Sequence, residues 1–190
     1  LARLRIESAE REQRTLADAY RMTAAALSGT LSVDEVFERI LANLETVLPY
    51  SAANIMMLDN HVGMIVRSKG YTERGITDFI HNVRFRVDQF PNIRWVVNHR
   101  KALVIPDVRE YKGWVAMPAT TWIQSHLSVP IRSKGTVIGL LNLDSAQLNF
   151  FTQAHAERLQ VFADQAAVAL ENANLFEETR RYARRMLLLN

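Results

Sequence analysis

The stretch over residues 125–145 constrains the fold of this chain most strongly, because it reads as two strands joined by a tight turn. Apolar residues alternate with serine and proline over residues 127–131, which is the period of a β-strand. A short polar loop, Ser133-Lys134-Gly135, is followed by an almost continuous apolar run over residues 137–143. Such a run is typical of a strand that is covered on both faces. The stretch therefore predicts a β-hairpin in a sheet that lies between helices.

A helix with a clear start signal precedes the sheet. Ser32 followed three residues later by Glu35 is the pattern of a capping box, which satisfies free N–H groups at a helix start. Apolar residues then recur on one helical face as far as Leu48, and Pro49 ends the helix because proline disfavours helix in the residue before it. We predict a helix that packs on the core.

The middle of the chain gives weaker signals. Two short apolar runs separated by Asp59-Asn60-His61 predict a first hairpin over residues 52–68. The pattern from residue 70 to residue 119 is irregular and contains short candidate elements. These are helices over 72–82 and 91–99, strands over 84–87 and 102–105, and a loop with one helical turn over 109–121.

The segment from Thr152 to Asn190 predicts one long helix with two stripes. The first stripe suits packing on the sheet and consists of Leu159, Ala163, Ala167 and Leu170. The second repeats at steps of four and three, and all but one of its members are apolar: Phe162, Ala166, Ala169, Ala173, Phe176, Arg180, Ala183 and Leu187. Because such a repeat is typical of coiled coils, we predict that it forms a dimer seam. The alternative is one core helix with a loose tail.

Composition narrows the classes of function. The 190 residues include no cysteine, which excludes disulfides, thiolate zinc sites and a cysteine nucleophile, and fits a cytoplasmic location. The net charge of +3 comes without a basic stripe, and no run of about 18 apolar residues occurs. We therefore expect neither nucleic-acid binding nor a membrane segment. The five histidines lack ligand spacing and no catalytic motif is present, so we expect no metal site and no enzyme activity.

Four segments in order resemble GAF domains. They are the second helix over 30–37, the middle strand over 102–108, the hairpin over 127–143 and the C-terminal helix over 162–178. The resemblance implies an α+β fold with a six-stranded antiparallel sheet, terminal helices on one face, and short helices and loops over a small-molecule pocket on the other. It implies three parts: an N-terminal linker or dimerisation helix (1–29), a GAF domain (30–176) and a C-terminal helical linker (177–190) to a following module.

The resemblance also implies a role. GAF domains are sensory or regulatory modules of multidomain signalling proteins, such as the sensor histidine kinases of two-component systems and diguanylate cyclases, and they commonly form homodimers through their terminal helices. The chain would bind a small molecule and pass a signal along its C-terminal helix to an output domain. The alternative is a structural dimerisation module without a ligand. Candidate ligand-binding residues are three tryptophans as walls and three polar residues: Trp95, Trp114, Trp122, Arg109, Ser128 and Asn142.

Those candidates have simpler interpretations. The tryptophans can pack in a core, and Ser128 and Asn142 can hydrogen-bond within the protein. Among family subtypes, covalent bilin binding and methionine sulfoxide reduction need cysteine, which is absent. The Asn-Lys-Phe-Asp-Glu motif of the cyclic-nucleotide subgroup is also absent. Haem-binding members use a histidine, for which His81 and His99 are candidates. The resemblance leaves the identity of a noncovalent ligand open.

Overall fold

A computed structural model describes residues 6, 7, 9–14, 17, 18, 21 and 32–188. The expected linker helix over residues 1–29 lies largely outside these described residues, and those of its residues that are described are helical. Within the described part of the chain, no helix has the long apolar window that crossing a bilayer requires.

The helices and strands follow the order that the sequence predicts. The α-helices are α1 (Val33–Val47), α2 (Thr77–Asn82), α3 (Pro91–His99) and α4 (Gln153–Leu187). The strands are β1 (Ala52–Asp59), β2 (Val62–Lys69), β3 (Phe85–Arg86), β4 (Leu103–Ile105), β5 (Ser125–Ser133) and β6 (Thr136–Ser145). Together the strands form one six-stranded antiparallel sheet in the order β3-β2-β1-β6-β5-β4. The predicted α+β fold with a six-stranded antiparallel sheet is confirmed.

Local sequence signals fix the ends of several elements. The Ser32 hydroxyl accepts the Glu35 backbone N–H at 3.2 Å, and the Glu35 carboxylate accepts the Ser32 N–H at 2.6 Å, so the capping box is confirmed. Thr152 caps α4 by accepting the His155 N–H at 3.3 Å. Between β5 and β6, Gly135 has φ +76°, a left-handed conformation that glycine adopts without steric cost.

The back face of the sheet, which α1 and α4 cover, holds the larger core. The alternation in β5 places Leu127, Val129 and Ile131 on this face, and each is fully buried. Leu141 and Leu143 of β6 lie beside them in the same cluster. The apolar stripes of α1 and α4 complete this core, because an amphipathic helix is stabilised by burying its apolar side.

The dimer seam predicted on α4 is wrong in its first half. Its members Phe162, Ala166, Ala169 and Ala173 belong to the back-face core, with at most 1% of each side chain exposed. The reason is that α4 packs against both β5 and α1, so it buries a wide face that takes up both predicted stripes. The later members of the seam, Phe176, Arg180, Ala183 and Leu187, are exposed.

The front face of the sheet carries a second, smaller core beneath α2, α3 and the loop segment 106–124. Apolar residues from these covering elements, such as Ile80, Ile93 and Ile123, pack against Met56 and Leu140 of the sheet. Between these apolar patches runs a belt of polar side chains from the central strands. The fold therefore gives the two faces of one sheet different chemistry.

Candidate functional site

The polar belt on the front face follows from strand register. Ser128 of β5 lies opposite Asn142 of β6, and Asn142 lies opposite Asn54 of β1. Two residues further along, His126 of β5 lies opposite Asp144 of β6. Because side chains alternate between faces, these residues all point to the front of the sheet.

Side-chain hydrogen bonds join this belt into one chain, which we call the polar relay. Its six members are Ser128, Asn142, Asn54, Tyr71, Asp144 and His126. The Ser128 hydroxyl donates to Asn142 Oδ1 at 2.7 Å, and Asn142 Nδ2 donates to Asn54 Oδ1 at 2.9 Å. Asn54 Nδ2 then donates to the Tyr71 hydroxyl oxygen at 2.9 Å. The relay satisfies polar groups that would otherwise be buried without partners.

The relay ends at the Asp144 carboxylate. The Tyr71 hydroxyl donates to Asp144 Oδ2 at 2.6 Å, and His126 Nδ1 lies 2.7 Å from Asp144 Oδ1. All three side chains are buried, and only 3% of Asp144 is exposed. Burial is the main reason that the pKa of Tyr71 lies well above its usual value, and the charge of the Asp144 carboxylate is the second. The Tyr71 phenol therefore stays protonated and acts as a donor to Asp144.

A cavity of about 70 Å³ lies directly against the relay. Its wall includes Tyr71, His126 and Asp144 from the relay, together with Trp114 and Asn92. The side-chain oxygen Oδ1 of Asn92 is buried there without a hydrogen-bond partner. A buried acceptor without a donor is costly, so this wall has an unmet demand for a donor. We call this space the Asp144 cavity.

A second, outer cavity of about 400 Å³ adjoins the first. The two share Trp114, Met117, Thr120 and Ile123 in their walls. The shared residues come from the loop and the short 3₁₀ helix (Pro118–Thr120) that cover the front face. A ligand larger than the Asp144 cavity would therefore extend past these four side chains into the outer space.

The structure brings together some of the predicted ligand-binding residues and separates others. Trp114 and Asn142 line the Asp144 cavity, and Ser128 reaches it through Asn142. Trp122 packs edge-on against Tyr71, with ring centroids 6.2 Å apart, and carries the Arg74 guanidinium on its face.

Two predicted residues lie elsewhere. Trp95 stacks on His99 and lines a separate groove beside the start of α4. Arg109 pairs with Asp107 and lines the outer cavity. Neither residue reaches the Asp144 cavity, because α3 and the loop after β4 direct them to other parts of the surface.

Four members of the relay were missed from sequence: Asn54, Tyr71, His126 and Asp144. A signal existed for three of them, because Asn54 interrupts an apolar run and His126 and Asp144 flank two others. Tyr71 follows Gly70 in a turn, and no pattern in the sequence marks it.

The candidate haem ligands His81 and His99 contact other groups. His81 Nε2 lies 2.8 Å from the Ser68 hydroxyl, and His99 Nδ1 lies 2.9 Å from the Trp95 carbonyl oxygen. The described residues contain no cluster of three or more metal-binding side chains.

The raised pKa of Tyr71 predicts alkaline destabilisation. The unfolded chain releases the tyrosine proton near pH 10, whereas the folded protein retains it to higher pH. The free energy of unfolding should therefore fall above pH 10, by up to about 1.4 kcal/mol per pH unit from this group. Urea denaturation at pH 8 to 11.5 should show a shallower fall for Tyr71→Phe than for the wild type. Tyr50, whose pKa burial raises to about 12, contributes to the fall in both proteins.

The exposed Tyr182 provides the control for that experiment, since 67% of its surface is accessible. A Tyr182→Phe variant should follow the wild-type curve. Equal alkaline slopes for Tyr71→Phe and the wild type would contradict the role given to Tyr71.

The sheet thus carries α1 and α4 on one face and a polar cavity under the short helices and loops of the other. A sequence model of the GAF domain matches residues 30–171. The match spans most of the chain, so the chain belongs to the GAF domain family. GAF domain-containing protein A of Dictyostelium discoideum is 34% identical over 53 residues, which are 28% of this chain and 32% of that protein. The chain thus spans about a third of that relative's length.

Solved structures show the same fold. The GAF domain/HD domain protein of Geobacter sulfurreducens has a TM-score of 0.68 at 18% identity, covering 78% of this chain and 98% of that one. Residues 122 to 287 of a methyl-accepting chemotaxis protein match with a TM-score of 0.63 at 26% identity. This match covers 83% of this chain and 98% of that one. A free methionine-R-sulfoxide reductase of Neisseria meningitidis, solved with its substrate, matches with a TM-score of 0.66 at 15% identity. This match covers 86% of this chain and 92% of that one. GAF domains are commonly sensory or regulatory parts of multidomain signalling proteins, although this last neighbour is an enzyme.

Proposed function

We propose that this chain is a non-catalytic sensory module that binds a small molecule in the Asp144 cavity. The observation that carries the proposal is the buried Asp144 carboxylate, held by Tyr71 and His126 on the wall of a cavity that also holds an unpartnered Asn92 oxygen. Ligand pockets typically combine apolar walls with a few placed polar groups. Met56, Ile65 and Ile80 supply such apolar walls here.

The proposed signal path leads from the cavity to α4 through β5. His126 and the back-face core residues alternate on β5, so a shift of this strand acts on both faces. β5 is tied to α4 by polar contacts as well as by packing. The Arg132 guanidinium binds the Asp164 carboxylate at 2.8 and 2.9 Å, and Gln160 Nε2 donates to the Pro130 carbonyl at 3.0 Å.

The far part of α4 would carry the signal onward. Glu177 accepts the Val33 N–H at 3.1 Å and so joins α4 to the start of α1. Beyond this contact every described residue of α4 is exposed. We propose residues 30–176 as the sensory domain, residues 177–190 as the helical linker to an output module, and residues 1–29 as a second linker helix.

A thermal-shift screen tests ligand binding. Small metabolites at millimolar concentration should include some that raise the melting temperature of the wild type, since a compound that binds only the folded state adds stability. The same compounds should give a smaller rise with Asp144→Asn, which replaces a carboxylate oxygen by an amide nitrogen of similar size. The matched control is Asp164→Asn, which changes an acid on the back face at the Arg132 pair. Equal shifts in all three proteins would place the binding elsewhere.

An exposed stripe on α4 supports a homodimer. Val161, Val168, Leu175 and Tyr182 recur every seven residues, and 42–67% of each side chain is exposed. The stripe extends over about 30 Å of helix at 1.5 Å per residue. A heptad repeat of apolar residues on a helix surface is self-complementary, so a second copy of α4 is the partner that we propose. This stripe replaces the buried half of the seam predicted from sequence.

Charge on that stripe should weaken the dimer. Leu175→Glu places a carboxylate where two apolar surfaces would meet, and it should raise the dimer dissociation constant by about tenfold or more. Asn174→Glu adds the same charge at the neighbouring exposed position outside the stripe and should change the constant much less. Sedimentation equilibrium measures both variants. If the two variants associate equally well, the stripe is not the interface.

A structural dimerisation module without a ligand is the second candidate function. The specific observation in its favour is that the Tyr71 hydroxyl and the Asp144 carboxylate already satisfy each other inside the protein. In that case the relay would serve only to stabilise the front face. A screen without any stabilising compound, combined with an intact dimer, would support this second function over the first.

A further inference from the structure

We propose that the Asp144 cavity selects a small organic cation with N–H donors, such as an amidinium or alkylammonium group. This inference rests on the proposed function above, because it names the chemical class of the ligand at the same site. Its basis is the charge, the hydrogen-bonding demand and the size of the cavity.

Charge favours a cation. Asp144 is the one acidic residue among the described residues that line the cavity, and no lysine or arginine lines it. Tyr71 is a neutral donor, and His126 is charged only when it is protonated. With a neutral His126, the Asp144 carboxylate is the one formal charge among the described residues that line the cavity. A buried charge is costly unless a partner of opposite charge is present, and a cationic ligand would supply that partner.

The unmet hydrogen-bonding demand is for donors. A carboxylate offers about four acceptor sites, and Asp144 uses one for Tyr71 and one for His126. Asn92 Oδ1 is a second acceptor, buried and without a donor. When His126 donates through Nδ1, its neutral ring also presents Nε2 as an acceptor. A group with several N–H bonds would meet these acceptors together.

Size and aromatic walls define the rest of the ligand. A cavity of about 70 Å³ holds about two water molecules at the roughly 30 Å³ that each occupies in the liquid, and so has room only for a small, compact head group. The indole ring of Trp114 lies on the wall, and its centroid is 5.0 Å from that of His126. Aromatic faces attract desolvated cations. A longer ligand would place its remainder in the outer cavity, past Trp114 and Met117.

Three probes of nearly equal size isolate the contributions of charge and of donor number. Acetamidinium, acetamide and acetate differ in charge and in donor number but hardly in volume. Each is titrated against the full chain, and binding is followed through the NMR signals of the Trp114 indole and the His126 ring. We expect acetamidinium to bind at least about tenfold more tightly than acetamide or acetate, because hydrogen bonds to charged groups are stronger than neutral ones.

Two variants make the result specific to this site. Asp144→Asn keeps the shape of the side chain and should weaken the binding of acetamidinium by about 10-fold to 100-fold. The affinity for acetamide should change little. Asn92→Asp adds a second carboxylate at the unpartnered oxygen and should strengthen acetamidinium binding. Asp164→Asn on the back face should change neither probe. If Asp144→Asn does not fold, the direction of the Asn92→Asp effect decides, and a weaker or unchanged affinity would overturn the proposal.

The outcomes also separate this inference from the proposed function. If the Trp114 and His126 signals show that acetate or acetamide binds more tightly than acetamidinium, the cavity does not select a cation. The proposal that the cavity is a ligand site would still stand. The same conclusion follows if none of the three probes binds while another compound from the screen does so in an Asp144-dependent way. If neither the probes nor the screen give binding at this cavity, both the inference and the proposed function fail.

Discussion

Replacing Asp144 by alanine is expected to destabilise the folded chain by about 2–6 kcal/mol, because it leaves two buried polar groups without their partner at about 1–3 kcal/mol each. The substitution removes the acceptor of the Tyr71 hydroxyl and the partner of His126 Nδ1 at once. Both groups would remain buried, with 2% of Tyr71 and 5% of His126 exposed, so water would not replace the lost contacts fully. Urea denaturation at neutral pH measures the difference in unfolding free energy.

An exposed ion pair provides the control for this prediction. Asp88 pairs with Arg86 at 3.2 Å, and 64% of the Asp88 side chain is exposed. Asp88→Ala should therefore cost no more than about 1 kcal/mol, which is usual for surface pairs. A similar small loss for Asp144→Ala would contradict the view that the polar relay is a buried and hydrogen-bonded network.

Replacing Phe162 by alanine is expected to cost about 3–5 kcal/mol, because it removes a large side chain from the back-face core and leaves a cavity. Phe162 is 1% exposed and contacts the cluster formed by α1, α4 and the sheet. Phe176 is a matched control, since it has the same side chain on the same helix and is 38% exposed. Phe176→Ala should cost about 1 kcal/mol or less.

The comparison of the two phenylalanines also tests the correction of the predicted seam. If Phe162 belonged to a dimer interface, Phe162→Ala would raise the dimer dissociation constant and leave the stability of the protomer nearly unchanged. The structure instead predicts a large loss of protomer stability. Denaturation should be followed at a single low protein concentration, because association would otherwise add to the apparent stability.

Local chemistry explains why much of the fold was predictable. The capping box at Ser32, the alternation in β5 and the turn at Gly135 each act over a few residues, so a short window of sequence contains the whole signal. The apolar run of β6 also indicated burial on both faces, and both cores confirm it. These features lie in two of the four segments on which the resemblance to GAF domains rested, the helix over 30–37 and the hairpin over 127–143.

The seam on α4 could not be assigned from sequence, because a heptad stripe and a core-facing stripe share nearly the same spacing. Periods of 3.5 and 3.6 residues diverge by only about 20° per heptad. The spacing alone therefore could not tell whether Phe162 faces a partner or its own sheet. The exposed stripe from Val161 to Tyr182 was missed because polar residues such as Gln165 and Thr179 lie between its apolar members.

The site was predictable only in part, because it is assembled by long-range pairing. Ser128 and Asn142 stood out as polar residues within apolar strands, and they are hydrogen-bonded to each other. Their connection to Tyr71 depends on the register of β1 against β6 and on the turn after β2. No local pattern encodes that geometry, so tryptophans such as Trp95 were grouped with a cavity that they do not line.

A crystal structure with a bound compound tests the central claim most directly, namely that the Asp144 cavity is the ligand site of a sensory GAF domain. The compound should be the one that gives the largest Asp144-dependent thermal shift. We expect a ligand nitrogen or hydroxyl within hydrogen-bond distance of the Asp144 carboxylate, with Trp114 packed against the ligand. A ligand bound elsewhere on the surface, with Tyr71 and His126 unchanged around an unoccupied cavity, would contradict it.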